Sequence, residues 1–375
     1  MSTLKNMKIN FFEYKRLYLE YKKDYLEIFD NVCSRGAFIL QNDLKEFETE
    51  LSNFLKIKYV VGTNDGTNAL ILGLLANNIG VGDEVILPSH TYIATASAIK
   101  FVGAKPVFVD IDLNDNLIAP KEILKKITKK TKAIMPVHVN GRICNMIEIF
   151  KISKKYKLKI IEDGAQSIGA KFKNVSTGYY GDCATISFYP AKVLGCFGDG
   201  GAIVTNKKNI YEKLYQLRDH GRDKNGKIKL WGTNARLDNL QAAFLKFKLK
   251  KLKKDILKRR WIASIYNNEL SSLSELTLIP EPSKKTDNYD VYQNYEISVN
   301  QRDKLKKYLE RNGIKTLVQW NGSAVHQIKS LNLKAKLPNT EFFFKRCIML
   351  PIHTYLNEKE IIYICKTIKN FYKNN

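Results

Sequence analysis

A lysine between an apolar segment and a glycine cluster has the setting that makes a side-chain amine reactive. Residues 185–188 are strand-like, Lys192 follows them, and residues 195–201 contain four glycines. Apolar surroundings remove water from an amine, which lowers its pKa and frees its lone pair to act as nucleophile and base. Lys192 is therefore a candidate catalytic lysine.

A carboxylate follows another strand-like segment. Residues 159–162 read KIIE, and Asp163 comes next, at the start of the sequence DGAQSIGA. In parallel sheets, ligands bind at the carboxyl ends of the strands. Asp163 is therefore a candidate site residue, and the alternative interpretation is an aspartate that caps a helix.

A turn rich in glycine and threonine leads into an apolar segment. Residues 62–68 read GTNDGTN, after the strand-like residues 59–61 and before the helix-like residues 70–75. Backbone N–H groups at such a turn and at a helix amino terminus bind anions such as phosphate. The alternative is an ordinary helix cap, with Asp65 or Thr67 as the capping residue.

Strand-like and helix-like segments alternate through the first two thirds of the chain. The strand-like segments, rich in Val, Ile and Leu, lie at 59–61, 106–109, 132–137, 159–162, 185–188 and 202–205, and residues 81–88 are predicted as a turn followed by a strand. Buried apolar strands between helices predict an α/β fold with a mostly parallel sheet covered on both faces.

The pattern changes after residue 234. One long basic helix is predicted up to about residue 268, and a strand at 294–299, a helix at 302–312 and a strand at 315–320 follow. These elements predict a smaller α+β domain. We place the boundary between a large domain of residues 1–245 and a small C-terminal domain of residues 246–375.

Length and composition are those of a globular protein. With 375 residues, 44% hydrophobic and 26% charged, the chain is neither collagen-like nor disordered. The longest apolar stretch, residues 69–76, is too short to span a membrane. Six widely spaced cysteines indicate neither a metal site nor a disulfide framework, and a cytoplasmic location is therefore predicted.

The net charge is +25, from 62 basic and 37 acidic residues. Such a charge suggests nucleic acid as a partner. However, only 11 of the basic residues are arginines, on which specific phosphate and base recognition depends. The densest basic run, residues 246–260, carries apolar residues at helical spacing, which predicts one apolar stripe and one solvated face. We expect no nucleic-acid partner, and a nucleic-acid-binding protein stays as the alternative of another class.

Together these motifs resemble the DegT/DnrJ/EryC1/StrS family of pyridoxal-phosphate-dependent nucleotide-sugar aminotransferases. The GT turn at residues 66–67, the DxxQ at residues 163–166 and the SFxPxKxLGxxGDGG at residues 187–201 occur in the family order. Further matches are PSHTYIAT at 88–95, PVH at 136–138 and NARLDNLQAA at 234–243. The resemblance extends from about residue 9 to about residue 369.

The resemblance implies the aspartate-aminotransferase-like fold of fold type I pyridoxal-phosphate enzymes, in which the large domain binds the cofactor. Lys192 would hold pyridoxal 5'-phosphate covalently as an imine and would transfer the proton as base and then acid. Asp163 would keep the pyridine nitrogen protonated, so that the ring withdraws electrons.

The resemblance also assigns the remaining cofactor contacts. Gln166 would hydrogen-bond the ring hydroxyl, and Tyr92 would stack on the ring. The phosphate would be held by Gly66, Thr67 and Ser187. Asn234 would reach the phosphate of the neighbouring subunit's cofactor, which implies a homodimer with shared sites.

The implied substrates are L-glutamate as amino donor and a nucleotide-linked keto-6-deoxyhexose as acceptor. The product would be an amino sugar for surface glycans such as lipopolysaccharide O-antigen. Residues 194–201 read LGCFGDGG, nearer to members that act on 3-keto sugars than to the TxEGG of members that act on 4-keto sugars. Amination at C3 is therefore expected, and a 4-keto substrate is the alternative. Dehydratases of the family carry His at the position of Lys192, which argues for transamination here.

Three further residues are candidates for contacts with the substrate. Tyr189 adjoins the cofactor motif, His326 lies in a loop that matches a His-containing family loop, and Arg222 lies in a charged loop. A packing tyrosine, a structural histidine and a solvated loop are the respective alternatives. His138 is expected to be structural. The chain departs from the family pattern at residues 139–142 and at Asn145, positions expected near the sugar.

Overall fold

The computed structural model describes residues 7–283 and 286–374. Its helices are α1 (Tyr14–Glu20), α2 (Lys22–Ser34), α3 (Asn42–Leu55), α4 (Gly66–Ala76), α5 (Ile93–Phe101), α6 (Pro120–Leu124), α7 (Met146–Tyr156), α8 (Lys208–Leu217), α9 (Asn239–Leu249), α10 (Leu252–Leu270), α11 (Arg302–Arg311), α12 (Pro338–Arg346) and α13 (Glu358–Lys373). Within the described ranges, no helix combines the length and apolarity needed to cross a membrane.

The strands form one large and two small sheets. They are β1 (Tyr59–Thr63), β2 (Glu84–Pro88), β3 (Lys105–Val109), β4 (Thr131–Ile134), β5 (Lys159–Asp163), β6 (Lys171–Phe172), β7 (Val175–Ser176), β8 (Cys183–Ser187), β9 (Gly201–Thr205), β10 (Leu276–Thr277), β11 (Asn288–Tyr289), β12 (Tyr295–Val299) and β13 (Cys347–Leu350). The large sheet has seven strands in the order β1-β9-β8-β5-β4-β2-β3.

The large sheet is parallel apart from β9. The pairs β2–β3, β2–β4, β4–β5 and β5–β8 are parallel, whereas β9 runs antiparallel to β1 and to β8. This confirms the predicted mostly parallel sheet. Because parallel strands end at one edge of a sheet, Asp163 at the end of β5 and Ser187 at the end of β8 lie at the same edge.

Apolar cores cover both faces of the large sheet. One core packs α3, α7 and α9 against one face, and the other packs α4, α5 and α8 against the opposite face. Along β5, for example, Ile160 belongs to the first core and Ile161 to the second. Full burial of an aliphatic side chain contributes about 1.5–3 kcal/mol, so these two layers hold the strand ends in fixed positions.

A third core forms around the antiparallel sheet β10-β12-β13 and helices α10, α11 and α13. Ile9 pairs with Ile314 and packs into the same core, so the amino-terminal segment joins the C-terminal unit. The first turns of α10 contribute Ile256 to the first sheet core, and its later turns contribute Tyr266 to the third. The boundary between residues 245 and 246, which falls within α9, stays a prediction.

The prediction of a single basic helix up to about residue 268 is wrong. The chain forms α9 and α10, separated at Lys250 and Lys251. The break follows from packing rather than from a helix breaker: α9 lies along α3, and α10 turns to lie along α13. The apolar residues of the run 246–260 are therefore divided between two helices, and Leu257 is exposed.

Predictions for the C-terminal unit hold in part. The strand at 294–299 and the helix at 302–312 are confirmed as β12 and α11. The prediction of a strand at 315–320 is wrong, because within this segment only Leu317 makes a β-bridge, to Met349 of β13. At Trp320 and Asn321 the backbone is left-handed, with φ of 46° and 57°, so the chain turns out of strand geometry.

Candidate active site

A cavity of about 640 Å³ lies where the carboxyl edge of the large sheet meets the C-terminal unit. Eight of the predicted site residues line this cavity, namely Gly66, Thr67, Tyr92, Asp163, Gln166, Ser187, Tyr189 and Lys192. They come from the start of α4, the β2–α5 connection, the end of β5 and the loop after it, and the end of β8 and the loop after it. The structure thus brings together residues that are more than one hundred positions apart.

Lys192 lies in the loop between β8 and β9, where its N–H donates to the carbonyl oxygen of Tyr189 at 2.8 Å. Burial lowers the pKa of its side-chain amine to about 8, although the charge of Asp163 opposes this shift. An amine with this pKa is partly neutral near pH 7, and the neutral form is the nucleophile and the base. The expected chemistry of Lys192 is therefore available in this setting.

Asp163 is buried, and its carboxylate is oriented by two donors. Thr95 Oγ1 donates to Oδ2 at 2.8 Å, and the N–H of Ala165 donates to Oδ1 at 3.1 Å. The peptide groups of Asp163 bond to Pro136 and His138 on the neighbouring strand connection. A carboxylate held in this way, at the wall of a cavity, can bind a cationic N–H group of a ligand.

The β1–α4 turn forms an anion cradle. Asp65 caps α4 by accepting a hydrogen bond from the N–H of Asn68 at 2.8 Å, so the capping interpretation of Asp65 is correct. The N–H groups of the first helical residues, Gly66 and Thr67, have no acceptor within a helix. A Cβ atom on Gly66 would lie 2.9 Å from the Cβ of Ser187, so glycine lets the helix end approach that serine.

Gln166 has one end of its carboxamide fixed. The N–H of Asn140 donates to Gln166 Oε1 at 2.6 Å, which leaves the NH₂ group available to donate into the cavity. Asn140 is itself held, because its Nδ2 donates to Glu296 Oε2 at 2.7 Å and its Oδ1 accepts from Asn294 Nδ2 at 2.8 Å. The segment 139–142, where the sequence departs from the family pattern, therefore contacts Gln166 through Asn140. The departure at Asn145 lies away from the cavity, where this exposed residue caps α7.

Aromatic side chains surround the mouth of the cavity. Tyr92 and Tyr189 are about half exposed, at 57% and 53%. The ring of Trp320, a residue that the motifs did not indicate, lies 6.5 Å from the ring of Tyr92. Exposed ring faces at a cavity mouth can stack on a flat ligand or on the apolar face of a sugar.

One wall of the cavity consists of carboxamides from the C-terminal unit. These side chains are Gln293, Asn294, Gln319 and Asn321. Sequence reasoning missed these four residues because they lie outside the matched motifs. It also missed Thr95, which lies within the matched segment 88–95 but is brought to Asp163 by tertiary packing alone. Neutral amides both donate and accept hydrogen bonds, as recognition of hydroxyl groups requires.

His138 has a defined structural role. Its Nδ1 accepts from the N–H of Cys144 at 3.2 Å, so the proton of the neutral ring is on Nε2, which donates to Glu162 at 2.9 Å. Glu162 also accepts from the N–H groups of Gly178 and Gly181. This buried network ties the β5–β8 connection to the wall of the cavity.

His326 lies outside the cavity. The N–H of His326 donates to Ser89 Oγ at 3.0 Å, and the Ser89 hydroxyl donates back to His326 Nδ1 at 2.7 Å. His326 Nε2 lies 3.4 Å from Glu341 Oε1, and burial lowers the pKa of the ring. These contacts favour the structural alternative over contact with the substrate.

Arg222 and Asn234 also lie outside this chain's cavity. Both belong to a segment that we name the 219–234 hairpin, in which Asp219 pairs with Asn234 and Arg222 with Ile228. Arg222 is exposed and lies 3.8 Å from Asp219, and the exposed Asn234 accepts a hydrogen bond from Arg236. Their substrate and cofactor contacts stay predictions.

The lining residues fit the cofactor that the resemblance implies. The cradle at Gly66 and Ser187 suits a phosphate, the Asp163 carboxylate suits a protonated ring nitrogen, and the Lys192 amine suits an aldehyde.

Comparisons with known proteins identify relatives over nearly the whole chain. The sequence profile of the DegT/DnrJ/EryC1/StrS aminotransferase family matches residues 20–369. The UDP-2-acetamido-2-deoxy-3-oxo-D-glucuronate aminotransferase of Pseudomonas aeruginosa is 36% identical, over 90% of this chain and 93% of its own. The dTDP-3-amino-3,6-dideoxy-alpha-D-galactopyranose transaminase of Aneurinibacillus thermoaerophilus is also 36% identical, over 97% of this chain and 99% of its own.

A solved structure shares the fold. The crystal structure of Streptomyces venezuelae DesV in complex with a ketimine intermediate superposes with a TM-score of 0.93 and 32% sequence identity. The match covers 97% of this chain and 98% of that chain. The elements that surround the cavity are thus those of an aminotransferase.

Proposed function

The chain belongs to the DegT/DnrJ/EryC1/StrS aminotransferase family, and on that premise we propose that it aminates a nucleotide-linked 3-keto sugar. It is a pyridoxal-phosphate-dependent aminotransferase. Amination at C3 is supported by full-length similarity to relatives that are named for 3-oxo and 3-amino sugars. The observation that carries the proposal is the placement of the Lys192 amine, the Asp163 carboxylate and the Gly66 cradle around one cavity.

Lys192 is proposed as the cofactor lysine and the proton carrier. When bound, the cofactor supplies an electron sink for the carbon that loses its proton. Lys192 takes the proton from the Cα of the donor amino acid as a base, and it later delivers a proton to the sugar carbon that receives the nitrogen. A pKa of about 8 suits both roles, because both forms of the amine are populated near neutral pH.

Asp163 and Gln166 are proposed to orient the cofactor ring. The Asp163 carboxylate would hold a proton on the ring nitrogen, and Thr95 keeps that carboxylate in place. The free NH₂ group of Gln166 would donate to the ring hydroxyl, because Asn140 already occupies its oxygen. Gly66, Thr67 and Ser187 would bind the phosphate.

L-Glutamate is the proposed donor and a keto-6-deoxyhexose the proposed acceptor. The carboxamides of Asn294, Gln319 and Asn321 support an acceptor rich in hydroxyl groups, and the net charge of +25 favours anionic substrates such as nucleotide sugars. Tyr189 stands at the mouth, where it would contact the hexose. We propose that the amino sugar supplies surface glycans and that the enzyme works in the cytoplasm, both on the basis of the resemblance.

A homodimer would supply the positive charge that this cavity lacks. Among the described residues that line the cavity, Lys192 is the sole lysine and arginine does not occur. The cofactor phosphate, the donor carboxylates and the diphosphate are all anions. The 219–234 hairpin carries Arg222 and three lysines, and its Ile228 and Trp231 are 71% and 98% exposed, as at a surface that another chain covers.

We therefore propose that the hairpin of each subunit reaches the cavity of the other, with Asn234 on the phosphate. The proposed arrangement gives Arg222 a role toward the anionic substrates of the neighbouring site. It also explains why Arg222 and Asn234, although they lie outside their own chain's cavity, belong to the predicted site.

Isotope transfer tests the proposed reaction and its position. The enzyme is incubated with ¹⁵N-labelled L-glutamate and either a 3-keto or a 4-keto nucleotide-linked hexose, and the product is analysed by NMR. We expect ¹⁵N on C3 of the sugar and none with Lys192→Ala. If ¹⁵N appears on C4 alone, the enzyme aminates a 4-keto sugar and the C3 proposal is wrong. If neither acceptor gives a labelled sugar, the proposed reaction is contradicted.

A further inference from the structure

The carboxamide of Gln293 grips the chain on both sides of Lys192. Gln293 Oε1 accepts from the N–H of Val193 at 2.8 Å, and Nε2 donates to the carbonyl oxygen of Ala191 at 2.8 Å. Both bonds are directional, and Gln293 is buried. Together they fix the orientation of the two peptide groups that flank the lysine.

The rest of the same loop is fastened independently. Gln241 makes an equivalent pair of bonds to one residue, as its Oε1 accepts from the N–H of Phe197 at 2.9 Å and its Nε2 donates to the carbonyl oxygen of Phe197 at 2.6 Å. Lys248 donates to the carbonyl oxygen of Gly195 at 2.6 Å. The two glutamines therefore hold one loop in the same way, but only Gln293 does so next to Lys192.

Gln293 is itself tied to the C-terminal unit. It precedes β12, and its carbonyl oxygen accepts from Arg259 Nη1 of α10 at 3.2 Å. The same guanidinium group donates to the carbonyl oxygen of Tyr292 at 3.0 Å. The loop around Lys192 is therefore held in position by the C-terminal unit as well as by its own sheet.

We propose that Gln293 is a positioning residue, which holds the peptide groups beside Lys192 so that the amine points at the reacting carbon. This inference rests on the proposed function, because it takes Lys192 as the reacting amine. Without the carboxamide, the N–H of Val193 and the carbonyl group of Ala191 lose their partner, and the lysine samples other orientations. Misplacement by about 1 Å costs on the order of 100-fold in rate.

The experiment compares Gln293→Ala with Gln241→Ala as a matched control. The first measurement uses cofactor-free protein, in which hydrogen exchange of the peptide that contains Val193 should speed up in Gln293→Ala only. The second uses the loaded enzyme in steady-state turnover of L-glutamate with a 3-keto nucleotide-linked hexose, and KM refers to L-glutamate. We expect kcat to fall about 100-fold in Gln293→Ala with KM nearly unchanged, whereas Gln241→Ala stays near the wild-type value.

Two further variants, Gln293→Glu and Lys192→Ala, distinguish failure of this inference from failure of the proposed function. Gln293→Glu keeps the acceptor for Val193 and loses the donor for Ala191, so we expect a kcat between those of the wild-type protein and Gln293→Ala. If Gln293→Ala does not fold, Gln293→Glu tests the inference in its place. Equal kcat for the Gln293 and Gln241 variants, despite faster exchange at Val193, would overturn the inference. If Lys192→Ala still turned over in the same assay, the proposed function of Lys192 would fail instead.

Discussion

The reactivity of Lys192 results from two opposing influences on one amine. Burial lowers its pKa to about 8, and the nearby charge of Asp163 raises it. The neutral fraction of an amine with this pKa grows about tenfold between pH 7 and pH 9. We therefore expect the rate at which cofactor-free protein captures pyridoxal phosphate covalently to rise about tenfold over this range, measured by stopped-flow absorption.

The control for this pH profile is Asp163→Asn. Removal of the opposing charge lets burial act alone, so the pKa of Lys192 falls and the rise in rate moves to lower pH. A rate of capture that does not change between pH 7 and pH 9 in the wild-type protein would contradict the account of Lys192.

Asp163→Asn should also reduce turnover. A neutral amide cannot stabilise a protonated ring nitrogen, although it can occupy the same space and accept from Thr95. Loss of one well-placed electrostatic group costs about 10²–10³-fold in kcat. We expect a loss of this size with the cofactor still bound, as measured by steady-state kinetics and by the cofactor content after gel filtration. Near-normal turnover would exclude Asp163 from this role.

Sequence motifs locate the residues that follow strands directly. Asp163, Ser187 and Lys192 belong to short contiguous patterns, so their positions at one edge of the sheet follow once the strands are predicted. Thr95 and Gln293 could not be found in this way. Thr95 lies within a matched motif, but only tertiary packing brings its hydroxyl group to Asp163. Gln293 lies outside the matched motifs and comes from the C-terminal unit.

The start of α4 packs so closely against Ser187 that a substitution there should change the affinity for the cofactor. Gly66→Ala would place a Cβ 2.9 Å from the Cβ of Ser187, so the helix end must move away from the serine. We expect the affinity for pyridoxal phosphate to fall at least about tenfold, since two groups of the cradle separate, while the protein stays folded. Fluorescence titration with the cofactor measures this change.

Gly80→Ala serves as the control for this substitution. A Cβ on Gly80 would meet no atom closer than 3.6 Å, so cofactor affinity should stay at the wild-type value. Equal affinity of Gly66→Ala and the wild-type protein would show that the close approach of α4 and Ser187 is not needed for the phosphate.

Periodicity predicted the strands better than it predicted the ends of helices. The apolar runs of the large sheet are buried on both faces, so composition alone marks them. The division between α9 and α10 has no local signal, because Lys250 and Lys251 continue the basic run and packing on α3 and α13 decides the break. Likewise, residues 315–320 have strand-like composition, but the chain turns at Trp320 to reach the cavity.

At the scale of the whole molecule, the proposal requires two chains for each complete site. Asn234→Ala and Lys192→Ala each damage a different part of a site. In a mixed dimer, the site that contains Lys192 receives Asn234 from the other chain, so one of its two sites is intact. Random exchange of equal amounts makes about a quarter of all sites intact.

We therefore expect activity to recover to about a quarter of the wild-type value when the two inactive or impaired variants are unfolded, mixed and refolded together. Each variant refolded alone serves as the control. If exchange of subunits is verified by mass spectrometry and activity does not recover, Asn234 does not act across the dimer.

The absorption spectrum of the purified protein with pyridoxal phosphate, before and after addition of L-glutamate, tests the central claim most directly. We predict a visible band of covalently bound cofactor that is absent in Lys192→Ala. Glutamate should convert it to the near-ultraviolet band of the amine form, and a nucleotide-linked keto sugar should restore it. A protein that binds the cofactor but shows no conversion with any amino acid would contradict the assignment of this cavity to transamination.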